Sequence, residues 1–493
     1  MTTAAEKNQQ AFANLLGSAA LASHLFNCRI AVHSDDGSNT PAGRLLAAAL
    51  GDVLGRLWPQ IDATGPLASA LLPSATISAA SANLPASIQE RWSPPYDAVI
   101  AIASVPAGDA GPVVRIGADG WMVSAGRLAR VGESLIPVGP AAAAALASAE
   151  LFKHVFKSTL AERANTWLED FEWNVWNFGA SANEPAVQEL NIRHAHVFGV
   201  GAVTHGLLWV LERWPKPVTG ELLLIDGDGY DVSNGQRYAG MRPGDEGCLK
   251  VDRKAERLRE IHSGLTVHPF PHSMNEYFDR FEPTPRVSLA VVGLDSGESR
   301  RQVALKLPRR AVNMWTDSDH LGSARHGGGD GWPCLMCAYP EVLHGLRDEP
   351  AVLAPQTGME PARIRHLLDT GERLSQADAA LVAARSGLAV ELVSGKPLRS
   401  VLQQLCATGK LALPGAQNDV DVPFAFSSLL AGVAGFSNLA AELWGCETSP
   451  FRWTYNILKR PNPGLIEPAG PKANCALCAD ETYQRLVARP VAA

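Results

Sequence analysis

Two sets of residues have the types and spacing to do chemistry. The first is a pair of Cys-x-x-Cys steps, Cys334/Cys337 and Cys475/Cys478, which use four of the eight cysteines. Each step has the short spacing of a metal knuckle, and four thiolates favour a closed, structural Zn²⁺ site. Redox chemistry at either pair is the alternative. The second set runs in order along the middle of the chain: Gly199, Gly201 and Ala202; Asp226 and Asp228; Ser233, Asn234 and Arg237; Lys250; then Asp295 and Ser296. Glycines let a turn approach a phosphate, and Asp226 at a strand end suits ribose hydroxyls. Thr204 stands where a dinucleotide fingerprint has its third glycine. Two fixed cations, Arg237 and Lys250, exceed what the diphosphate of NAD needs and suit a triphosphate. Asp295 follows an apolar strand and offers the oxygen chemistry that Mg²⁺ prefers. The set reads as an ATP–Mg²⁺ site rather than that of an NAD-dependent oxidoreductase.

The elements that would position these residues follow an α/β rhythm. Strands are expected at Ala195–Phe198, Glu221–Asp226, Thr266–Phe270 and Val287–Gly293. Helices are expected at Val203–Glu212, Val251–His262 and Ser299–Leu307. The same alternation runs from Asn8 to Phe156, with strands at Cys28–His33 and Asp97–Ile102, a hairpin within Val113–Val123 and a helix at Pro140–Lys157. There the first strand leads into Ser34-Asp35-Asp36-Gly37-Ser38, whose acids would repel a phosphate. This unit is Rossmann-like in shape without a working nucleotide site. Trp173, Trp176 and Phe178 read as aromatic core on a strand. His194, His196 and His205 read as partly buried, hydrogen-bonded histidines, with a ligand role as the alternative. Gly322–Gly331 reads as a charged, Gly-rich loop. After Cys337 the pattern turns helical, at Ala362–Leu368, Ser375–Ser386 and Leu398–Cys406. A long apolar helix over Phe424–Leu443 contains Gly432 and Gly435, small enough for close packing.

Composition sets outer limits. The chain has 493 residues, 46% hydrophobic and 19% charged, enough for more than one core. A net charge of -7 argues against a nucleic-acid partner. No apolar run of membrane-span length and no leader is evident, which predicts no membrane association and a cytoplasmic location.

Taken together, Gly199–Thr204, Asp226–Arg237, Gly247–Lys250 and Asp295–Arg300 resemble the adenylation domain of the E1 family. That family spans ThiF/MoeB sulfur-carrier adenylyltransferases and ubiquitin-activating enzymes. Ser296 departs from the family's usual Asn, and Ala202-x-Thr204 from its richer glycine run; neither removes a charge. The resemblance implies two Rossmann-like lobes of the adenylation type. Residues 1–160 would be an inactive lobe and 161–337 the active one. Residues 338–422 would be a helical cysteine-domain insertion, and 423–493 the return of the active domain with its second zinc knuckle. It also implies roles: Asp226 on the ribose, Arg237 and Lys250 on the phosphates, Ser233 lining the site, Asp295 on Mg²⁺. Cys406 in the insertion would be the nucleophile that takes the acyl group as a thioester, with Cys446 as the alternative. The single-chain arrangement is most similar to activating enzymes of bacterial ubiquitin-like conjugation operons, including the Bil-type anti-phage systems. The implied partners are a ubiquitin-like protein ending in glycine and an E2-like acceptor, with a homodimer left open. Two alternatives stand beside this: a sulfur-carrier adenylyltransferase with no thioester step, and an inert scaffold that binds a ubiquitin-like protein. The family brings an arginine from the opposite half to the ATP; no motif singles one out.

Overall fold

The computed structural model describes residues 3–106, 108–164, 167–179, 184–281, 287–317, 319–328, 331–339, 349–370, 372–386, 389–398, 401–402, 422–446, 451–461, 466–473 and 475–488. Cys406 and most of the expected Leu398–Cys406 helix lie outside the described residues. The chain divides into two compact units. Residues 22–340 and 423–493 form the larger, and residues 1–21 with 341–422 the smaller.

The larger unit holds two sheets. The first comprises β1 (Ile30–Ser34), β2 (Gln60–Thr64), β3 (Ser87–Glu90), β4 (Ala98–Ile102), β5 (Val113–Asp119), β6 (Met122–Ala125) and β7 (Phe171–Asn174), in the order β3-β2-β1-β4-β5-β6-β7. The second comprises β8 (Leu190–Phe198), β9 (Val218–Ile225), β10 (Leu265–Phe270), β11 (Leu289–Val292), β12 (Arg310–Asp317), β13 (His320–Gly327), β14 (Phe451–Asn456) and β15 (Ile466–Pro468), in the order β10-β9-β8-β11-β12-β13-β14-β15. Each sheet pairs its first five strands parallel and then turns antiparallel. Central strands such as β4 and β11 are buried along their whole length, as parallel strands covered on both faces must be.

Two departures from the sequence reading have plain causes. The expected loop at Gly322–Gly331 is largely β13. Gly322 is small because Trp315 and the backbone of Trp453 pack there: a Cβ would lie 2.4 Å from each. β2 shows little apolar pattern because its centre is Asp62, buried and paired with Arg29 at 3.0 Å and Arg91 at 3.2 Å.

The Ala425–Leu443 helix has the length and apolar character of a membrane span, contrary to the sequence expectation, yet 94% of its apolar window is buried in the fold. A helix apolar on every face belongs in a protein interior or a bilayer. Here it packs on helices from both halves. Phe424, at its start, meets Phe152 of the Val138–Val155 helix with ring centres 5.0 Å apart. Gly432 packs so closely on the Ala202–Leu211 helix that a Cβ would sit 2.4 Å from the Val203 carbonyl.

In the smaller unit, Ala4–Leu16 begins with a Thr3/Glu6 capping box. Helices Glu349–Thr357, Pro361–Thr370 and Gln376–Ser386 surround a core that includes Leu353, Ile364, Leu367 and Val382. The Ser375 hydroxyl and Asp378 carboxylate cap the third of these reciprocally. The N-terminal helix therefore groups with the insertion.

Candidate active site

The second sheet reverses its winding between β8 and β11, and open α/β sheets bind ligands at such a switch point, beyond the strands' carboxyl ends. Gly199 follows β8 with φ +84, a conformation that favours glycine. Gly201 caps the Ala202–Leu211 helix, so the positive end of that helix faces the turn. Thr204 ties the turn down: its hydroxyl donates to the Gly199 carbonyl at 2.6 Å. Gly293, after β11, makes room for it, because a Cβ there would lie 2.1 Å from the Thr204 oxygen.

Asp226 follows β9 with both oxygens engaged, accepting from the Val200 amide at 2.7 Å and the Asp228 amide at 2.8 Å. Burial raises its pKa against the pull of Lys250. Lys250 starts the Lys250–Ile261 helix, buried to 4% exposure, with its Nζ 2.9 Å from Asp228 and 3.9 Å from Asp226. Burial opposes its charge, but Tyr238, Asp226 and Asp228 outweigh that cost and hold the ammonium above its ordinary value. Ser233 and Asn234 lie in a short 3₁₀ turn, Val232–Gln236, that Asp231 caps at the Ser233 amide. Half-buried Arg237 follows, donating to the Ser233 carbonyl at 3.0 Å.

Asp295 is exposed in the loop after β11, beside Leu294, which packs under Gly199. Ser296 caps the Gly297–Leu305 helix by accepting from the Ser299 amide at 3.0 Å. Arg300 turns inward and holds this loop: it donates to the Leu294 carbonyl, to the Met314 carbonyl at 3.1 Å and to the Tyr339 hydroxyl at 2.7 Å. Tyr339 also borders a cavity lined by Asn313, Trp315, His326, Arg452 and Lys472.

Sequence reasoning missed the aromatic hub beneath these charges. The Tyr238 ring lies 5.3 Å from the Arg237 guanidinium and 5.7 Å from the Lys250 ammonium, so one ring spaces both cations. His205 packs on the same ring at 4.5 Å. Its Nδ1 faces the Gly201 carbonyl at 2.9 Å and so carries the proton, leaving Nε2 to accept from the Tyr230 hydroxyl at 2.7 Å. Burial, the largest influence on it, holds His205 well below the ordinary imidazole pKa. His196 is likewise buried, 3.2 Å from the Tyr277 hydroxyl. Two tyrosines bracketing the Ser233–Arg237 motif were the available signal.

The four cysteines converge. Their sulfurs all lie within 4.8 Å of one another, with Cys334–Cys475 and Cys337–Cys478 at 3.5 Å and Cys334–Cys337 at 3.8 Å. Four sulfurs each about 2.3 Å from a tetrahedral zinc stand about 3.8 Å apart, whereas a disulfide needs about 2.05 Å. The cluster is therefore able to chelate a metal ion. Hydrogen bonding from Cys334 is the main influence drawing the Cys337 thiol down, while the same pairing pushes Cys334 up. Tyr483, on the Glu481–Ala488 helix, packs against the cluster.

No protein-family profile matches the chain. In sequence the chain is similar to the uncharacterized protein y4jF of Sinorhizobium fredii (strain NBRC 101917 / NGR234), at 29% identity over 390 residues, 75% of this chain and 72% of that protein. It is also similar to the tRNA threonylcarbamoyladenosine dehydratase of Haemophilus influenzae (strain ATCC 51907 / DSM 11121 / KW20 / Rd), at 24% identity over 154 residues, 30% of this chain and 56% of that protein. Among solved structures, E. coli MccB with MccA-N7isoASN is 13% identical with a TM-score of 0.37, covering 74% of this chain and 97% of that one. E. coli MccB with ATP gives 12% and 0.36, covering 74% and 98%. Likenesses at those scores leave the chemistry of this chain to rest on its own residues.

Proposed function

We propose that this chain is an ATP-dependent adenylyltransferase of the ThiF/MoeB type, acting on the C-terminal carboxylate of a small protein or peptide. The observation that carries the reading is the pair of cations Arg237 and Lys250 on the Tyr238 ring, with Asp226 3.9 Å from Lys250, in the sheet whose switch point has Asp295 on its other side. A carboxylate is a poor electrophile at neutral pH. Its oxygen attacks the α-phosphate of ATP, forming an acyl–O–P bond as the bond to the leaving pyrophosphate breaks. Arg237 and Lys250 offset the charge that spreads over the phosphates. Asp228, exposed beside Lys250, holds that ammonium until a phosphate takes its place. Asp226 is the ribose partner, fixed by its two backbone amides. Asp295, an exposed carboxylate at a strand end, fits a Mg²⁺ ion, which when bound would neutralise phosphate charge. The cavity beyond Tyr339 offers the polypeptide end a seat. The four thiolates suit a structural zinc with no open position.

The described residues bear on the adenylation stage alone, since Cys406 lies outside them. The further stage, in which a ubiquitin-like protein passes to Cys406 and then to an E2-like acceptor in the cytoplasm, rests on the insertion and its one cysteine. Cys446, half-buried after the Ala425–Leu443 helix, is the competing thiol. ATP–pyrophosphate exchange that depends on a small protein partner and is lost in Asp295→Ala is the expected result; a chain that binds no ATP with Mg²⁺ overturns the reading. A reductant-sensitive adduct kept in Cys446→Ala and lost in Cys406→Ala would establish the thioester stage.

A further inference from the structure

We infer that Arg56, in the half that has no phosphate turn of its own, is a positioning residue of the adenylation site. It acts through the backbone that presents Arg237, and the inference rests on the proposed adenylation. Arg56 lies two residues past the first half's Pro41–Leu54 helix and is wholly buried, at 0% exposure. Its Nη1 donates to the Gly235 carbonyl at 2.7 Å and its Nη2 to the Met241 carbonyl at 3.0 Å. Those carbonyls lie on either side of Arg237. The guanidinium is itself fixed by Asp52, which accepts from its Nε at 3.1 Å and its Nη2 at 2.6 Å. The other Asp52 oxygen accepts from the Gly240 amide at 2.7 Å, and Ser78 donates to the first at 2.7 Å. Ser81 donates to the Met241 carbonyl at 2.8 Å.

Every one of these bonds crosses from the first half to residues 235–241 or braces a group that does. Contact is close enough that a Cβ on Gly235 would lie 2.0 Å from the Ser81 carbonyl. The planar guanidinium spans two carbonyls and a carboxylate at once, which a lysine ammonium on a flexible stem does not reproduce. Arg237 can space its charge against Tyr238 and Lys250 only if the turn that carries it is held, and the first half holds it at both ends. Arg56 meets backbone carbonyls, so it differs from an arginine that reaches into the nucleotide site.

The test is ATP binding by the full chain with Mg²⁺, measured by calorimetry, with melting temperature recorded for every variant. Arg56→Lys is expected to weaken ATP binding about tenfold, the scale of one lost charge-assisted hydrogen bond. In an Arg237→Ala background the same substitution should weaken it less than about twofold, because the group it positions is gone. An equal loss in both backgrounds, or no loss, overturns the inference. Should Arg56→Lys fail to fold, Ser81→Ala removes one clamp bond and must show the same dependence on Arg237. An unmutated chain that binds no ATP overturns the adenylation reading and this inference together; normal binding with uncoupled variants overturns only the inference.

Discussion

Thr204 shows how a single residue can mislead in sequence and instruct in structure. By spacing it is a damaged glycine of a dinucleotide fingerprint. In the fold its hydroxyl closes the Gly199 turn, and Gly293 leaves the space that admits it. Thr204→Gly therefore restores the fingerprint and harms the protein. It should cost about 1 kcal/mol for the hydrogen bond and about 0.5 kcal/mol for glycine in place of threonine in a helix, read by urea unfolding. ATP should bind more weakly, and tighter binding would contradict this role for the hydroxyl. Asp226, Arg237, Lys250 and Asp295 could be picked out of the sequence as candidates by type and spacing, with Asp226 and Asp295 following strands and Lys250 opening a helix. The Tyr238 ring could not, because its role comes from what it touches, whereas His205 is the buried, hydrogen-bonded histidine that the sequence suggested. A second residue-scale expectation concerns pH. Burial chiefly, with Lys153 and Lys157, lowers His154 from 6.5 to about 4. The unfolded chain then binds the proton first, so stability is intact above about 6.5 and is lost as pH falls toward about 4. The melting temperature should drop across that window, and His154→Gln should flatten the drop.

Among the elements, the Ala425–Leu443 helix couples packing to the site. It presses on the Ala202–Leu211 helix, whose first residues follow the Gly199–Gly201 turn. Gly432→Ala places a Cβ 2.4 Å from the Leu207 amide nitrogen, so one helix must move. Overpacking of this kind costs about 1–3 kcal/mol. Denaturant unfolding should show that loss, and ATP binding should weaken with it; an unchanged midpoint would mean the gap is wider than the backbone implies. The long helix and the strands β1, β4, β8, β9, β10 and β11 were legible from apolar runs. β2 and β13 were hidden because Asp62 and Gly322 answer to partners distant in sequence, which no local pattern displays.

At the scale of the molecule, the seven strands of the first sheet follow the same order as the first seven of the second, and among the described residues the second adds the Gly199 turn with Asp226 and Lys250 beside it. The α/β alternation matches the two sheets of the larger unit. It did not foretell that the N-terminal helix groups with the insertion, since an amphipathic helix does not name its partner. The cysteine cluster ties residues on both sides of that insertion. Purified chain should carry one metal ion, zinc by mass spectrometry. Cys475→Ser should lose it and lower the melting temperature by roughly 5 °C or more. A metal-free native chain of equal stability would refute a structural site.

The same cluster bears on how the chain is made. Cys334 and Cys475 stand 141 positions apart. At roughly 5–20 residues per second, synthesis leaves Cys334 and Cys337 waiting roughly 7–30 seconds for their partners. During that interval the nascent chain presents a two-thiolate half-site and a β13 edge that β14 has yet to cover. A ribosome-arrested chain stopped before Cys475 should expose both thiols to alkylation, and release of the finished chain should protect them.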